Sequence, residues 1–195
     1  MDKEKIEAVA SEFKTQAIIL LGFVAIMWIV EIADFVIFRG GLNRLGILPR
    51  HEIGLRGILF MPFLHGNFRH LIANTVPFVT LGWLVMARDI WDFWVTTAIV
   101  VLVGGAGVWL FGSQAYHIGA SGLIFGYLGF LLLRGVFERS FAGVFLSVVV
   151  GALYGSLIWG VVPGQRGISW EAHLFGLLSG ILAAYFMSRK TKGIV

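Results

Sequence analysis

The chain has no cysteine and little charge. Among its 195 residues, Asp, Glu, Lys and Arg together make up 13%, and cysteine is absent. The absence of cysteine excludes disulfide bonds, a thiolate nucleophile and a cysteine-ligated metal, although it does not identify the cellular compartment. Any chemistry that this chain performs must therefore use oxygen or nitrogen atoms.

The low charge excludes a water-soluble globular protein. Hydrophobic residues make up 58% of the sequence and the mean hydropathy is +0.88, which leaves too little polar surface for a soluble domain. Six apolar segments approach the ~20 residues that a membrane-spanning helix needs. They lie at residues 17–38, 70–87, 92–112, 119–136, 141–162 and 170–188. The sequence thus predicts an all-α, polytopic membrane protein with a six-transmembrane-helix bundle.

The six segments leave almost nothing for a second domain. We predict a single domain over residues 1–195, with an N-terminal segment at 1–16, a membrane core at 17–188 and a short tail at 189–195. The first loop, 39–69, contains two prolines and an apolar patch, so it is too irregular for a span and too apolar for a free linker. We expect this loop to lie in the membrane interface.

The Lys and Arg residues in the loops indicate the orientation. If both termini are cytoplasmic, nine of these residues lie on the cytoplasmic side and six on the other side. Five of the six lie in or just after the first loop, and an ordered loop is less informative about topology than a short connection. We therefore expect a cytoplasmic N-terminal segment and tail. The net charge of +4 then predicts contact with anionic lipid and not with nucleic acid.

A serine stands between glycines in the fourth segment, in Gly119-Ala-Ser121-Gly122. Glycines at a helix start let another backbone approach closely, leave N–H groups free to bind an oxyanion, and expose the hydroxyl. These features suit a nucleophile. Taken alone, however, the motif favours helix packing over catalysis, because Gly122 and Gly126 also form a small-residue packing motif.

The sixth segment carries His173 with Gly176 and Gly180, at the spacing i, i+3, i+7, which places the three residues on one helix face. The natural partner of this face is the glycine-rich face of the fourth segment. If the two faces meet, His173 can come within about 3 Å of Ser121 and accept its proton. A histidine that only hydrogen-bonds a neighbouring helix is an equally acceptable interpretation of His173 alone.

Two histidines and an asparagine lie around the start of the second segment. His70 and Asn74 are four residues apart, so both can direct donors to a single point, as an oxyanion hole requires. His65 lies nearer the water, and headgroup contact and a supporting role are equally compatible with it. A zinc site is a further alternative, but His51-Glu52 is followed by Ile-Gly-Leu, so the sequence lacks His-Glu-x-x-His.

Taken in order on segments two, four and six, these motifs resemble those of the rhomboid intramembrane serine proteases. The resembling motifs are His65-x4-His70-x3-Asn74, Gly119-x-Ser121-Gly122 and Ala172-His173-x2-Gly176-x3-Gly180. The resemblance covers roughly residues 50–190 and implies a bundle of rhomboid type. It implies that Ser121 attacks the scissile carbonyl and that His173 acts as base and then as acid. His70, Asn74 and the backbone N–H of Ser121 would hold the oxyanion. Supporting roles fall to Gly119, Gly122, Phe125, His65, Gly176 and Gly180.

Two positions depart from the family pattern. Many rhomboids have a tyrosine four residues after the serine, where this chain has Phe125, whose aromatic face still predicts stacking on His173. Some rhomboids also carry Trp-Arg in the first loop, where this chain has Leu55-Arg56-Gly57, so the anchoring of that loop is left open. Glu31 and Asp34 in the first segment match no family feature.

The resemblance implies an intramembrane serine endopeptidase that needs no cofactor or metal. Its partners would be single-span transmembrane substrates and membrane lipids, and we expect it in a prokaryotic cell (inner) membrane. Two alternatives stay open. One is a catalytically inactive rhomboid-like protein that binds membrane clients, although Ser121 and His173 are both present. The other is a small proton-coupled transporter with Glu31, Asp34 and the histidines as a proton relay, although no inverted repeat or pair of broken helices supports it.

Overall fold

A computed structural model describes residues 3–165 and 167–192 of the chain. In this part of the chain all regular secondary structure is helical, apart from one isolated antiparallel bridge between Ile47 and His117. The predicted all-α class is therefore confirmed. Residues 1–2 of the predicted N-terminal segment, Arg166 and residues 193–195 of the predicted tail lie outside the described residues.

Eight α-helices lie in the described residues. They are α1 (Lys3–Ala33), α2 (Gly57–Phe60), α3 (Phe68–Met86), α4 (Ile90–Ile99), α5 (Gly105–Phe111), α6 (Ser121–Glu138), α7 (Phe141–Tyr154) and α8 (Trp170–Lys192). Two π-helical stretches continue α1 (Asp34–Phe38) and join α4 to α5 (Val100–Gly104). Short 3₁₀ helices occupy Gly41–Leu45, Glu52–Arg56, Met61–Phe63 and Gly155–Val161.

Within the described residues, five helical stretches are long and apolar enough to cross a membrane. They are Lys3–Phe38, Ile90–Phe111, Ser121–Glu138, Phe141–Val161 and Trp170–Arg189. The predicted second segment corresponds to α3, which has 19 residues but carries Arg69, His70 and Asn74 near its start. These polar residues lower the mean hydropathy of α3. The chain is thus an integral membrane protein whose described residues contain five helices of spanning length, together with the less apolar α3.

The helix ends follow local capping. Asn67 accepts the N–H of His70 at 2.9 Å, so α3 begins at Phe68 and not at residue 70 as predicted. The helix α6 begins at Ser121 and not at residue 119, because Gly119 has φ +116°, a value that L-residues rarely adopt. At the N-terminus, α1 begins at Lys3 and not at residue 17, since residues 3–16 are rich in Ala, Glu and Lys, which favour helix.

The centre of the bundle is α6, which is buried continuously from Ser121 to Leu131. Its closest neighbour is α8, and the two backbones touch through glycines. A Cβ added to Gly176 would lie 2.2 Å from the carbonyl oxygen of Gly122, and one added to Gly180 would lie 1.8 Å from that of Gly126. Any side chain at these positions would force the helices apart. The predicted meeting of the two glycine faces is present.

The end of the bundle where α6 finishes and α4 begins contains a network of paired charges. Arg134 lies with Nε 2.5 Å from Glu138 Oε1 and with Nη2 3.7 Å from Asp92 Oδ2. Glu138 also pairs with Arg88, and the Arg134 guanidinium lies over the Phe130 ring. Each of these charged groups faces an opposite charge, which is the arrangement that buried ions require.

Candidate active site

A cavity of about 760 Å³ lies at the opposite end of the bundle, where α3, α6 and α8 begin. Its lining includes Ser121 from α6, His173 from α8, and His70 and Asn74 from α3. Three helices distant in sequence therefore bring together the four side chains that the motifs predict as a site. Pockets of this size are typical of small-molecule or peptide sites.

Ser121 is the first residue of α6 and is 9% exposed. The chain before it is held by two backbone hydrogen bonds: the Gly119 N–H donates to Met61 O at 2.9 Å, and the Ala120 N–H donates to His65 Nε2 at 3.5 Å. The Ser121 N–H belongs to the first turn of a helix, whose N–H groups have no intrahelical acceptor. Ser121 thus presents a hydroxyl and a backbone donor at the cavity.

His173 is held by two contacts from other elements. Its Nδ1 donates to the carbonyl oxygen of Gly160 at 2.9 Å, and its ring stacks on Phe125 with centroids 4.1 Å apart and planes at 7°. Because a carbonyl oxygen can only accept, the neutral ring carries its proton on Nδ1 and leaves Nε2 as an acceptor. The stacking expected from an aromatic residue at position 125 is present.

The hydroxyl of Ser121 makes no hydrogen bond to His173 in the part of the chain that the structure describes. Both side chains line the same cavity, and His173 is 9% exposed. Catalytic hydrogen bonds are often long or poorly aligned in unliganded sites and tighten when substrate binds. The contact of about 3 Å that the sequence predicted therefore stays a prediction.

His70 and Asn74 direct their donors to one place, as their spacing predicts. A Cβ on Gly119 would lie 2.9 Å from His70 Nε2 and 3.6 Å from Asn74 Nδ2. Asn74 is 6% exposed, and its Nδ2 is buried without a hydrogen-bond partner among the described residues. A buried donor without a partner is unfavourable by about 1–3 kcal/mol. Such a donor next to the start of α6 is suited to an anionic group that arrives from outside.

His65 is a core residue and not a headgroup contact. It is 1% exposed, and its ring lies 5.0 Å from that of His70 in an edge-on arrangement. Burial, with His70 as a second cause, lowers the pKa of His65 to about 3. The ring is therefore neutral at physiological pH, and its Nε2 accepts the Ala120 N–H. The headgroup interpretation of His65 is wrong.

The glycines with predicted supporting roles lie where other parts of the chain approach closely. The position of Gly122 leaves room for Met61, whose Cε would lie 3.1 Å from an added Cβ. Gly119, Gly176 and Gly180 are less tolerant of a side chain than Gly122, because the shortest distance given above for each of them is below 3.0 Å. Gly160 belongs to the same group, although the sequence motifs do not include it. A Cβ added to Gly160 would lie 2.8 Å from both His173 Nδ1 and Phe125 Cζ. No local pattern marks Gly160, because its contacts lie 13 and 35 positions away in the chain.

A buried polar cluster joins the loop before α6 to the start of α8. His117 hydrogen-bonds Ser169 through Nδ1 and the Ser113 carbonyl through Nε2, the second at 3.0 Å. Ser169 caps α8 by accepting the Ala172 N–H at 3.2 Å, and Glu171 accepts the Ser113 N–H at 3.0 Å. The cluster fixes the loop that leads to the serine against the helix that carries the histidine. A histidine four residues before Ser121 was the available sequence signal.

The first loop is anchored through its backbone and Arg50, without a Trp-Arg pair. Ile47 exchanges two backbone hydrogen bonds with His117, at 2.9 and 3.0 Å. The Arg50 guanidinium donates to the carbonyl oxygens of Leu110 and Gly112 at the end of α5. Together with the bond from Gly119 to Met61, these contacts attach the first loop to the segment that precedes Ser121.

Glu31, near the end of α1, and Asp34, in the π-helical stretch that continues α1, lie away from this cavity. Asp34 accepts the Leu42 N–H at 2.8 Å and so orders the turn that follows α1. Glu31 is buried near the same end of α1. Neither residue is among those that line the cavity.

Comparison with known proteins gives matches over most of the chain. The model of the Rhomboid domain matches residues 54–190. The Mycobacterium tuberculosis protein Rv1337, named as uncharacterized, is 42% identical over 178 residues, which cover 87% of this chain and 74% of the relative. The Mycobacterium leprae protein ML1171, also named as uncharacterized, is 40% identical over 187 residues, 90% of this chain and 74% of the relative. The putative rhomboid protease YdcA of Bacillus subtilis is 28% identical over 134 residues, 65% of this chain and 64% of the relative.

Proposed function

The chain belongs to the rhomboid family, and from that membership we propose that it is an intramembrane serine endopeptidase. The observation that supports this function best is a single cavity that contains Ser121, His173, His70 and Asn74. A hydroxyl, an imidazole with a free Nε2 and two converging donors are the groups that acyl transfer needs.

In the first step, His173 Nε2 removes the proton of Ser121 as Oγ attacks the scissile carbonyl carbon. The C–O bond forms, and the carbonyl oxygen becomes an oxyanion. His173 then gives the proton to the leaving nitrogen, the C–N bond breaks, and an acyl-enzyme remains. Water then attacks the ester carbonyl carbon while His173 takes its proton. The C–O bond to Ser121 breaks, His173 returns the proton to Oγ, and the carboxylic acid product leaves. The Gly160 carbonyl keeps the Nδ1 proton in place throughout, as an acidic residue does in a triad.

The oxyanion would lie between His70 Nε2, Asn74 Nδ2 and the Ser121 N–H. In the resting state Asn74 Nδ2 has no partner, so it can donate fully to a charge that develops only in the transition state. A donor of this kind typically contributes about 3 kcal/mol to transition-state stabilisation.

The membrane arrangement is part of the proposal. The helix α3 would be the sixth span, because 19 residues measure about 28 Å, close to the hydrocarbon thickness of a bilayer. Both termini would be cytoplasmic in a prokaryotic inner membrane, and the first loop would lie in the interface, where Ile53, Leu59 and Phe60 are exposed. Single-span substrates would enter from the bilayer, and helices that unwind easily near Gly, Ala, Ser or Pro would be cleaved most readily.

A fluorophosphonate probe tests the dyad. We expect the purified full chain in detergent to be labelled, and Ser121→Ala and His173→Ala to lose the label. Ser156→Ala is the matched control, because Ser156 lines the same cavity and should not affect labelling. Label that persists in Ser121→Ala, or that does not change in His173→Ala, would contradict the dyad.

Cleavage in liposomes tests the reaction itself. A single-span model substrate should be cut by the wild-type protein and left intact by Ser121→Ala. Proton flux measured in the same vesicles separates this function from transport. Substrate that is bound and never cleaved by the wild-type protein would instead indicate an inactive, client-binding relative.

A further inference from the structure

A second cavity, of about 500 Å³, lies at the other end of α3 from the candidate active site. It is lined by Glu12, Arg88, Asp89, Ile90, Trp91 and Trp94. The first cavity begins at the start of α3 and reaches along it to Pro77, and the second adjoins the end of this helix, which is about one hydrocarbon thickness long. The second cavity therefore lies at the depth of the headgroups of one leaflet.

The two carboxylates of this cavity are held in position. Asp89 caps α4 by accepting the Trp91 N–H at 2.9 Å. Glu12 accepts the amide of Gln16 at 3.2 Å, and Gln16 is itself fixed by Trp83 and by the carbonyl of Met86. Each carboxylate oxygen can accept more than one hydrogen bond. The cavity thus offers two oriented anionic groups to a cation.

The remaining lining suits the rest of a phospholipid headgroup. Trp91 is 69% exposed and Trp94 is 41% exposed, so indole surfaces are available to an ammonium group and to glycerol esters. Arg88 pairs with Glu138 but has five N–H donors in total, some of which can reach a phosphate. The lining of this cavity therefore combines negative, aromatic and positive groups.

We propose that this cavity binds the headgroup of phosphatidylethanolamine. The primary ammonium lies between Glu12 and Asp89 beside the indoles, and the phosphate lies at Arg88. A primary ammonium has three N–H donors for the two carboxylates, whereas the quaternary ammonium of phosphatidylcholine has none. Phosphatidylglycerol brings a phosphate without a cation, and the carboxylates repel it. This site is separate from the Ser121 cavity and does not depend on the proposed proteolysis.

Native mass spectrometry of the full chain tests the site. Phosphatidylethanolamine, phosphatidylcholine and phosphatidylglycerol with identical acyl chains are added singly at equal ratios to the detergent-purified protein. We expect ethanolamine adducts to exceed both others by about tenfold, the factor that a charge-assisted hydrogen bond supplies. Equal retention of phosphatidylglycerol or phosphatidylcholine would overturn the assignment.

The double variant Glu12→Gln/Asp89→Asn should remove this preference. Asparagine also caps helices well, so the start of α4 is kept. Glu4→Gln is the matched control, because Glu4 is an exposed carboxylate on the same helix outside the cavity, and it should keep the preference. A double variant that binds phosphatidylethanolamine as the control does would overturn the proposal. If the double variant is not monodisperse, the single variant Glu12→Gln provides the same test, because Glu12 is exposed and its replacement keeps the Asp89 cap of α4.

Discussion

Buried polar groups have different partners at the two ends of the helix bundle. At the end where α6 finishes, Arg134, Glu138, Asp92 and Arg88 pair with one another. At the end where α6 begins, Asn74 Nδ2 is buried without a partner in the described structure, although it lies close to His70 and Gly119. At the first end each charge lies beside an opposite charge, although Arg134 Nη1 has no hydrogen-bond partner among the described residues. At the second end a neutral donor, Asn74 Nδ2, lies unpartnered beside the cavity and is free for a ligand.

We expect this difference to separate residues that maintain the fold from residues that bind a ligand. Breaking a satisfied buried pair destabilises a protein, because the remaining partner stays buried and uncompensated. Removing an unpartnered donor takes away an unfavourable group and can leave stability unchanged or improved. Four substitutions test this contrast, because the cleavage rate and the stability of each variant can be measured separately.

The largest expected effect is that of Ser121→Ala on catalysis. Removing the nucleophile of a serine protease typically lowers the rate by about 10⁶-fold, so cleavage of a single-span substrate in liposomes should fall below detection. The thermal unfolding temperature should not change, since the hydroxyl has no hydrogen bond to lose. Residual cleavage near the wild-type rate would mean that another group is the nucleophile.

Asn74→Leu should separate activity from stability most clearly. It removes the unpartnered donor and keeps the number and branching of the side-chain heavy atoms, so cleavage should fall by about 10²–10³-fold while the unfolding temperature stays the same or rises. Thr97→Val is the matched control, because Thr97 and Tyr127 share a satisfied hydrogen bond of 2.8 Å. The control should lower stability without a selective loss of rate. An Asn74→Leu protein that is active and unstable would contradict the assignment of Asn74 Nδ2 as a donor to the oxyanion.

Glu138→Gln lies at the other end of the bundle and should lower stability while leaving the cleavage rate unchanged. Arg134 and Arg88 would lose their shared carboxylate, and breaking a buried pair destabilises a protein by about 3–5 kcal/mol. The protein should unfold at lower temperature or lower denaturant concentration, yet the variant that remains folded should cleave at close to the wild-type rate. A lower cleavage rate in fully folded Glu138→Gln would show that the two ends are coupled.

Gly160→Ala has the smallest expected effect. The new Cβ would press on His173 Nδ1 and Phe125, and a displacement of about 1 Å at a catalytic group can lower a rate by about 10²-fold. We therefore expect slower cleavage with little change in unfolding temperature. Gly155→Ala is the control, since Gly155 is in the same 3₁₀ helix with nothing within 4 Å of its Cβ position. Equal rates in the two variants would contradict a role for the Gly160 contact.

Periodic features of the site could be predicted from the sequence. The i, i+3, i+7 spacing of His173, Gly176 and Gly180 is a property of one helix, and its packing on α6 follows from the lack of side chains. The four-residue spacing of His70 and Asn74 likewise places both side chains on one face of α3. Such patterns are local, and the helix geometry translates them directly into shared faces.

Contacts between distant loops could not be predicted. The hydrogen bonds from Ile47 to His117 and from His117 to Ser169 span 70 and 52 positions, and no periodicity relates their ends. Gly160 and Arg50 act through backbone carbonyls, which every residue type carries. The start of α6 was misplaced by two residues because the left-handed backbone of Gly119 depends on contacts with the first loop. These residues complete the site that the motifs only outline.

The hydrogen bond between His173 and Gly160 links the general base to a segment other than its own helix. His173 belongs to α8, whereas the carbonyl that fixes its tautomer belongs to the 3₁₀ helix that extends α7. Moving that extension away would let the imidazole proton migrate to Nε2, and the ring could then no longer take a proton from the serine. In the proposed mechanism, a backbone carbonyl of one helical element therefore sets the proton position on a side chain of another, and proton transfer from Ser121 requires the two elements to stay in contact.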